Sequence, residues 1–129
     1  MTQDSKQAGA ELQRRMLGVA AASDGPDTPS GFIGNFIQEH IFGELWQREA
    51  IDLRTRSLCT IAAIVAGGPR EDALKNHVLG ALSNGATQEE ILEVIVHTAF
   101  YAGFPVLTGS LRAAQEVFDG HWGAQVVGQ

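Results

Sequence analysis

Cysteine is almost missing from this chain. Cys59 stands alone among 129 residues, so no intrachain disulfide can form and no Cys-x-x-Cys redox pair exists. That usage fits a reducing compartment, and we expect a cytoplasmic protein. Positive charge is scarce as well: nine lysines and arginines stand against fifteen acidic residues, a formal net charge of -6. Apart from Arg14 with Arg15 and Arg54 near Arg56, the cations are scattered, which excludes a nucleic-acid partner. Long apolar runs are missing too, so no membrane span is expected. The polar start from Met1 to Lys6 does not read as a secretory signal. There is no P-loop, no GxGxxG and no GxSxG. The histidines at 40, 77, 97 and 121 lack metal-ligand spacing, and no Cys/His cluster exists. No cofactor and no metal are expected.

What is present is enough apolar material, 44% of residues, for a packed core. The length suits a single domain over 1–129. The spacing predicts a first helix from about Asp4 to Ala22, with Leu12, Met16, Val19 and Ala20 on one face. The Pro/Gly-rich stretch from Asp24 to Gly31 breaks it and reads as a hinge. A second helix carries Phe32, Phe36, Ile37 and Ile41, ends near Gly43, and is followed by a connection through Glu44 and Trp46. The third opens at Asp52 and stops at Gly67, Gly68 and Pro69. Being apolar on nearly all sides, with Leu58, Ile61, Ala62 and Val65 opposite Cys59 and Ala63, it is expected to be buried. Arg56, Thr60 and Ala63 form a narrow stripe along it that would admit close approach of another segment.

Pro69 suits the first position of a fourth helix, Glu71 to Ser83, ended by Asn84 and Gly85. Thr87 and Glu90 form a capping box for a fifth helix with Ile91, Leu92, Ile95, Val96 and Ala99 on one side, closing at Gly103. Pro105 permits a last helix through Leu107, Leu111, Ala114 and Phe118, ended by Gly120, with a tail from His121 to Gln129. Strand-type alternation is nowhere sustained. The fold class is all-α, with about six helices.

Four groups of side chains can carry chemistry. His77 shares a face with Leu74, Val78 and Ala81, so it points inward or toward a cleft. It is either a general acid or base working near neutral pH or a core histidine satisfied by a backbone carbonyl; spacing does not separate the two. Glu90, Glu93, His97 and Tyr101 share one face of the fifth helix. They either pass or deliver a proton or form a solvated helix face. Arg54 and Arg56 sit at the start of the third helix, where cations oppose the macrodipole. Either a carboxylate such as Glu44 or a bound anion offsets that mismatch. Cys59, mid-helix among apolar neighbours, reads as a structural thiol that burial makes inert.

Several blocks in order resemble the carboxymuconolactone decarboxylase family, which also holds the AhpD-like alkylhydroperoxidases. They are Gly43 to Trp46, Leu53 to Leu58, Asn76 to Leu82, Asn84 to Ile91, Glu93, and Tyr101 to Pro105, spanning a core of roughly 42–118. The resemblance implies an all-α fold assembling into a ring-shaped homo-oligomer, a trimer or hexamer, with sites near subunit contacts. The peroxidase branch carries CxxC shortly before the histidine matching His77. Arg70 and Ala73 occupy those positions here, so thiol peroxide reduction through that motif is excluded. The decarboxylase branch remains, and it implies cofactor-free loss of CO₂ from a small anionic lactone in aromatic catabolism. Under it His77 is the proton donor, Arg54 or Arg56 the carboxylate holder, and Glu44 a catalytic support, with Glu93, His97, Tyr101 and Trp46 binding substrate. The chain departs from the family pattern over Arg48 to Ile51, where Pro-Gly is common, and at His97, where glutamine is expected. Two other outcomes stay open: a relative recruited to a biosynthetic proton transfer or cyclisation, and a non-catalytic anion-binding oligomer.

Overall fold

A computed structural model describes residues 3–18 and 27–122. Among them the ordered elements are helical and none is a strand: six α-helices, one π-helical stretch and two short 3₁₀ turns. The chain divides into two compact units, Met1–Ile51 and Asp52–Gln129. Among the described residues no helix is long and apolar enough to cross a membrane.

In the first unit, α1 (Gln3–Leu17) ends well short of Ala22. Gly18 follows it with a φ of 85°, a left-handed conformation that stops a helix. The expected apolar positions 19 and 20, and residues 24–26 of the expected hinge, lie outside the described residues. Leu12 and Met16 are buried as their spacing requires. The Thr28 hydroxyl accepts from the Gly31 amide and Pro29 fills the first turn, so α2 (Pro29–Phe36) begins inside the expected breaker. The helical path continues as a π-helix over Ile37–Phe42, a rare winding, and ends at Gly43. Phe32 and Phe36 are exposed, whereas Phe42 and Trp46 are buried with their rings stacked 5.4 Å apart. The α1 helix lies directly on the π-helix because Gly9 has no side chain: a Cβ there would collide with the Gln38 carbonyl and come within 2.8 Å of the Gly43 amide.

The second unit holds α3 (Leu53–Ala66), α4 (Glu71–Ser83), α5 (Gln88–Ala102) and α6 (Leu107–Phe118). The main packing pairs are α3 with α4 and α5, and α6 with α4 and α5, so α3 and α6 occupy opposite corners of the bundle. Ile61, Val65, Leu74, Val78, Ile91, Ile95, Ala113 and Ala114 fill its centre. The side-chain carboxylate of Asp52 caps α3 through the Thr55 amide at 2.7 Å. Hydrogen bonds from the Thr55 hydroxyl and amide hold the Asp52 carboxyl below its ordinary value. The α4 helix spans Glu71–Ser83 as expected, but Arg70 is its N-cap, so Pro69 precedes the cap rather than taking the first helical position. The Thr87 hydroxyl accepts from the Glu90 amide while Glu90 accepts from the Thr87 amide, the reciprocal box read from the sequence. Gly103 closes α5 at a φ of 117°.

The α3 helix is not buried all round. Ile61 and Val65 are fully covered, yet Cys59, Ala63 and Ala66 are exposed. The expectation of a core cysteine is therefore corrected: Ser57, Ile61 and Val65 are the buried positions that anchor α3, and the apolar residues left over form an open side.

Candidate functional site

The two helices that carry most of the candidate residues run side by side in the same direction. At their starts, Arg54 of α3 pairs with Glu90 of α5, the guanidinium Nε donating to Oε1 at 3.3 Å. At their ends, Ala62, Ala63 and Ala66 of α3 face His97, Thr98 and Tyr101 of α5 across an open hollow of about 480 Å³. At 1.5 Å per residue, the interval from Glu90 to Tyr101 is roughly 16 Å, and from Arg56 to Ala63 roughly 10 Å. The candidates on α3 and α5 thus lie along one seam, with cations at one end and a hollow at the other.

Each end has a local cause. The acidic partner of Arg54 is Glu90, which also accepts the Thr87 amide and so is fixed by the capping box. That carboxylate offsets a cation placed against the α3 dipole. Both side chains are about one-third exposed or more, so the pair contributes only about 0.2–1 kcal/mol and orients more than it stabilises. Arg56 is half-buried one short step further on.

The hollow exists because alanine recurs at 62, 63 and 66, leaving space where longer side chains would fill the seam. Thr98 donates its hydroxyl proton to the Val94 carbonyl at 2.7 Å. His97 and Tyr101 stand over the floor with ring centroids 5.1 Å apart and planes tilted by 35°. Tyr101 is 85% exposed, and Phe100 and Phe104 beside it are exposed too. Glu93 is exposed on the same helix.

His77 sits on α4, half-buried, and does not line the hollow. Its Nδ1 is shut off from solvent. Burial lowers its pKa below the ordinary 6.5, because desolvation disfavours the charged ring. At neutral pH the side chain is therefore an uncharged imidazole. The neighbouring Asn76 accepts from the Trp122 indole at 3.0 Å, and Lys75 lies 5.1 Å from the Trp122 ring while pairing with Glu116. These contacts pin the chain beyond α6 onto the helix that bears His77. The Glu116 carboxylate accepts a hydrogen bond from the Lys75 ammonium and holds its pKa above the ordinary value.

Glu44 and Trp46 belong to the first unit. Glu44 pairs with the His40 ring, which also packs on Phe36 and lies near Glu39. Trp46 is 4% exposed and stacked on Phe42, a core side chain of that unit. Sequence reasoning missed the Arg54–Glu90 pairing, since a separation of 36 residues leaves no local signal. It also missed the Trp122 contacts for the same reason. The alanine floor was partly visible, in the small-residue stripe that includes Ala63.

Comparison with known proteins places these features in a family. The model of the carboxymuconolactone decarboxylase family matches residues 33–116, which include every candidate residue named above. The chain is 36% identical over 113 residues to the 4-carboxymuconolactone decarboxylase of Acinetobacter baylyi, covering 85% of this chain and 84% of that protein. It is 35% identical over 83 residues to a nitrosuccinic acid decarboxylase of Metarhizium robertsii, covering 64% of this chain and 57% of that protein. An uncharacterised protein of Paracoccus denitrificans is 41% identical over 78 residues, covering 60% of this chain and 58% of that protein. With an all-helical structure and a family match across its central two-thirds, this chain belongs to the carboxymuconolactone decarboxylase family.

Proposed function

We propose that this protein is a cofactor-free carboxy-lyase acting on a small carboxylated lactone of the carboxymuconolactone type, as formed in aromatic catabolism. The observation that carries the reading is the similarity over most of both chains to a decarboxylase of that substrate. The second relative, also a decarboxylase but named for a different acid, supports the same bond cleavage.

Loss of CO₂ leaves an electron pair in the conjugated ring, so the site needs a cation or donor where that charge develops and an acid to protonate carbon. His77 is the proton donor in this proposal. Its depressed pKa makes it neutral when empty, and an arriving carboxylate favours the charged ring, so substrate binding draws a proton onto it. The ring proton then passes to carbon as the C–C bond to the carboxylate breaks, giving CO₂, the protonated lactone and neutral imidazole. Arg54 and Arg56 supply the cations. Glu90 takes one side of the Arg54 guanidinium and leaves other donors of its fork for a substrate carboxylate. Glu93, His97 and Tyr101 are the substrate-binding residues on α5. The family setting also leads us to infer a homo-oligomer, a trimer or hexamer. Sedimentation should return three or six times the 13.8 kDa chain mass; a monomer would remove that part of the reading.

The decisive experiment mixes the protein with γ-carboxymuconolactone and follows CO₂ and product by mass spectrometry. Turnover is expected, with a loss of about 10²–10⁴-fold in His77→Ala. Saturable binding without turnover would point instead to a non-catalytic anion-binding protein. Turnover within about twofold in the variant would remove His77 from its role.

A further inference from the structure

Arg54 and Glu90 form a joint that the helix caps do not need. The α3 helix is already capped by the Asp52 carboxylate, which accepts the Thr55 amide at 2.7 Å. The α5 helix is already capped by Thr87, whose hydroxyl accepts the Glu90 amide at 3.0 Å. An arginine in the first turn of α3 opposes the helix dipole, and a pair this exposed returns little stability. The joint is nevertheless closely made. Glu90 Oε1 accepts both the Thr87 amide at 2.9 Å and Arg54 Nε at 3.3 Å, while Oε2 meets Arg54 Nη2. The carboxylate therefore occupies the Nε–Nη2 edge of the guanidinium and leaves the donors of the Nη1–Nη2 edge to another acceptor. Geometry and charge are thereby separated. The outer edge still presents two parallel N–H groups that fit a carboxylate, yet guanidinium and Glu90 together carry no net charge.

A hold of this kind suits the carboxylate that is lost in a decarboxylation. As the C–C bond to that group breaks, its electron pair stays in the ring and the carboxylate departs as neutral CO₂. Attraction to the carboxylate's charge is strongest before the bond breaks and fades as it breaks, so a full cation there deepens the ground state and raises the barrier. Hydrogen bonds that fix the direction of the group still help, because the breaking bond must stay aligned with the conjugated system that receives its electrons. We propose that Glu90 is a positioning residue for carboxylate departure: it cancels the charge of Arg54 while aiming its outer edge, so that Arg54 orients the carboxylate that leaves as CO₂ without holding it. The identity of the bound group rests on the carboxy-lyase reading. Thr87 is the second part of the device, since its amide fixes the Glu90 carboxylate and ties the aim of Arg54 to the start of α5.

Glu90→Gln removes the negative charge and keeps a carbonyl oxygen for the Thr87 amide, so the cap of α5 survives. Arg54→Gln removes the cation without touching that cap. The full chain, each variant and the double variant are titrated calorimetrically with phthalate, an unreactive ring dicarboxylate, and assayed with γ-carboxymuconolactone. Glu90→Gln should bind phthalate about two- to fivefold more tightly, the size of one exposed charge pair, and the gain should vanish in the Arg54→Gln background. In turnover, KM and kcat of Glu90→Gln should fall by a similar factor with kcat/KM nearly constant, as expected of a ground state held too well. A merely structural Glu90 would instead raise KM and lower kcat/KM. Phthalate affinity unchanged or weakened in Glu90→Gln, a gain that persists without Arg54, or a raised KM would each overturn the proposal. If the unaltered chain turns over the lactone and any of these is found, the carboxy-lyase reading stands and the role of Glu90 falls. If nothing is turned over while Glu90→Gln binds phthalate more tightly through Arg54, the carboxy-lyase reading falls and the charge cancellation stands.

Discussion

His77 titrates against its own burial. Its pKa in the folded chain lies below the ordinary 6.5, so between those two values the unfolded chain holds a proton that the folded chain does not. Stability therefore falls as pH drops through 6.5 toward the depressed value, and is unaffected by this group above 6.5. Replacing the ring by an uncharged amide removes that contribution. The thermal midpoint of His77→Gln should drop less than that of the unaltered chain between pH 7.5 and pH 5.5, measured by calorimetry. An equal drop would show that the ring is as easily protonated folded as unfolded. The facing of His77 toward the interior was legible from its spacing with Leu74 and Val78. How far burial proceeds was not, because that depends on which helices cover α4.

At the scale of elements, short-range chemistry was read well. The Thr87–Glu90 box, the opening of α3 at Asp52 and the Gly103 stop all depend on residues within a few positions of one another, and all three are present, Asp52 as the N-cap. The π-helical winding over Ile37–Phe42 was not visible, since an ordinary helical period and a wider one look alike over six residues. Its packing depends on Gly9, whose bare backbone lets α1 settle on the Gln38 carbonyl. Gly9→Ala would add a methyl where backbone already stands. The usual gain of alanine over glycine inside a helix, about 1 kcal/mol, should be outweighed by overpacking of about 1–3 kcal/mol. Chemical denaturation should find the variant less stable; a stabilised variant would mean that α1 does not pack as closely as described.

At the scale of the whole molecule, contacts far apart in sequence hold the second unit together. Trp122 donates to Asn76 across 46 positions, and Lys75 joins both that ring and Glu116. Trp122→Phe keeps an aromatic ring but loses the indole donor. It should lower the unfolding free energy by about 1 kcal/mol, read from a urea titration; no change would mean that water replaces the lost bond. The same kind of distant pairing joins Arg54 to Glu90 and aligns the starts of α3 and α5. That alignment puts the alanines at 62, 63 and 66 opposite His97 and Tyr101 and creates the hollow. Cys59, expected in the core, lies instead on the exposed side of α3.

Periodicity, caps and breakers, all local in the chain, determined by themselves that this protein is helical and where most of its helices stop. Composition determined that no disulfide can form within this chain, and ordered blocks of residues pointed to its family. The tertiary structure alone decided which side of α3 remains open, which carboxylate meets Arg54, how deeply His77 is desolvated, and that cations and hollow lie at opposite ends of one seam. Those outcomes are set by which helix faces meet, a balance of burial and pairing between residues tens of positions apart, and no local pattern encodes it.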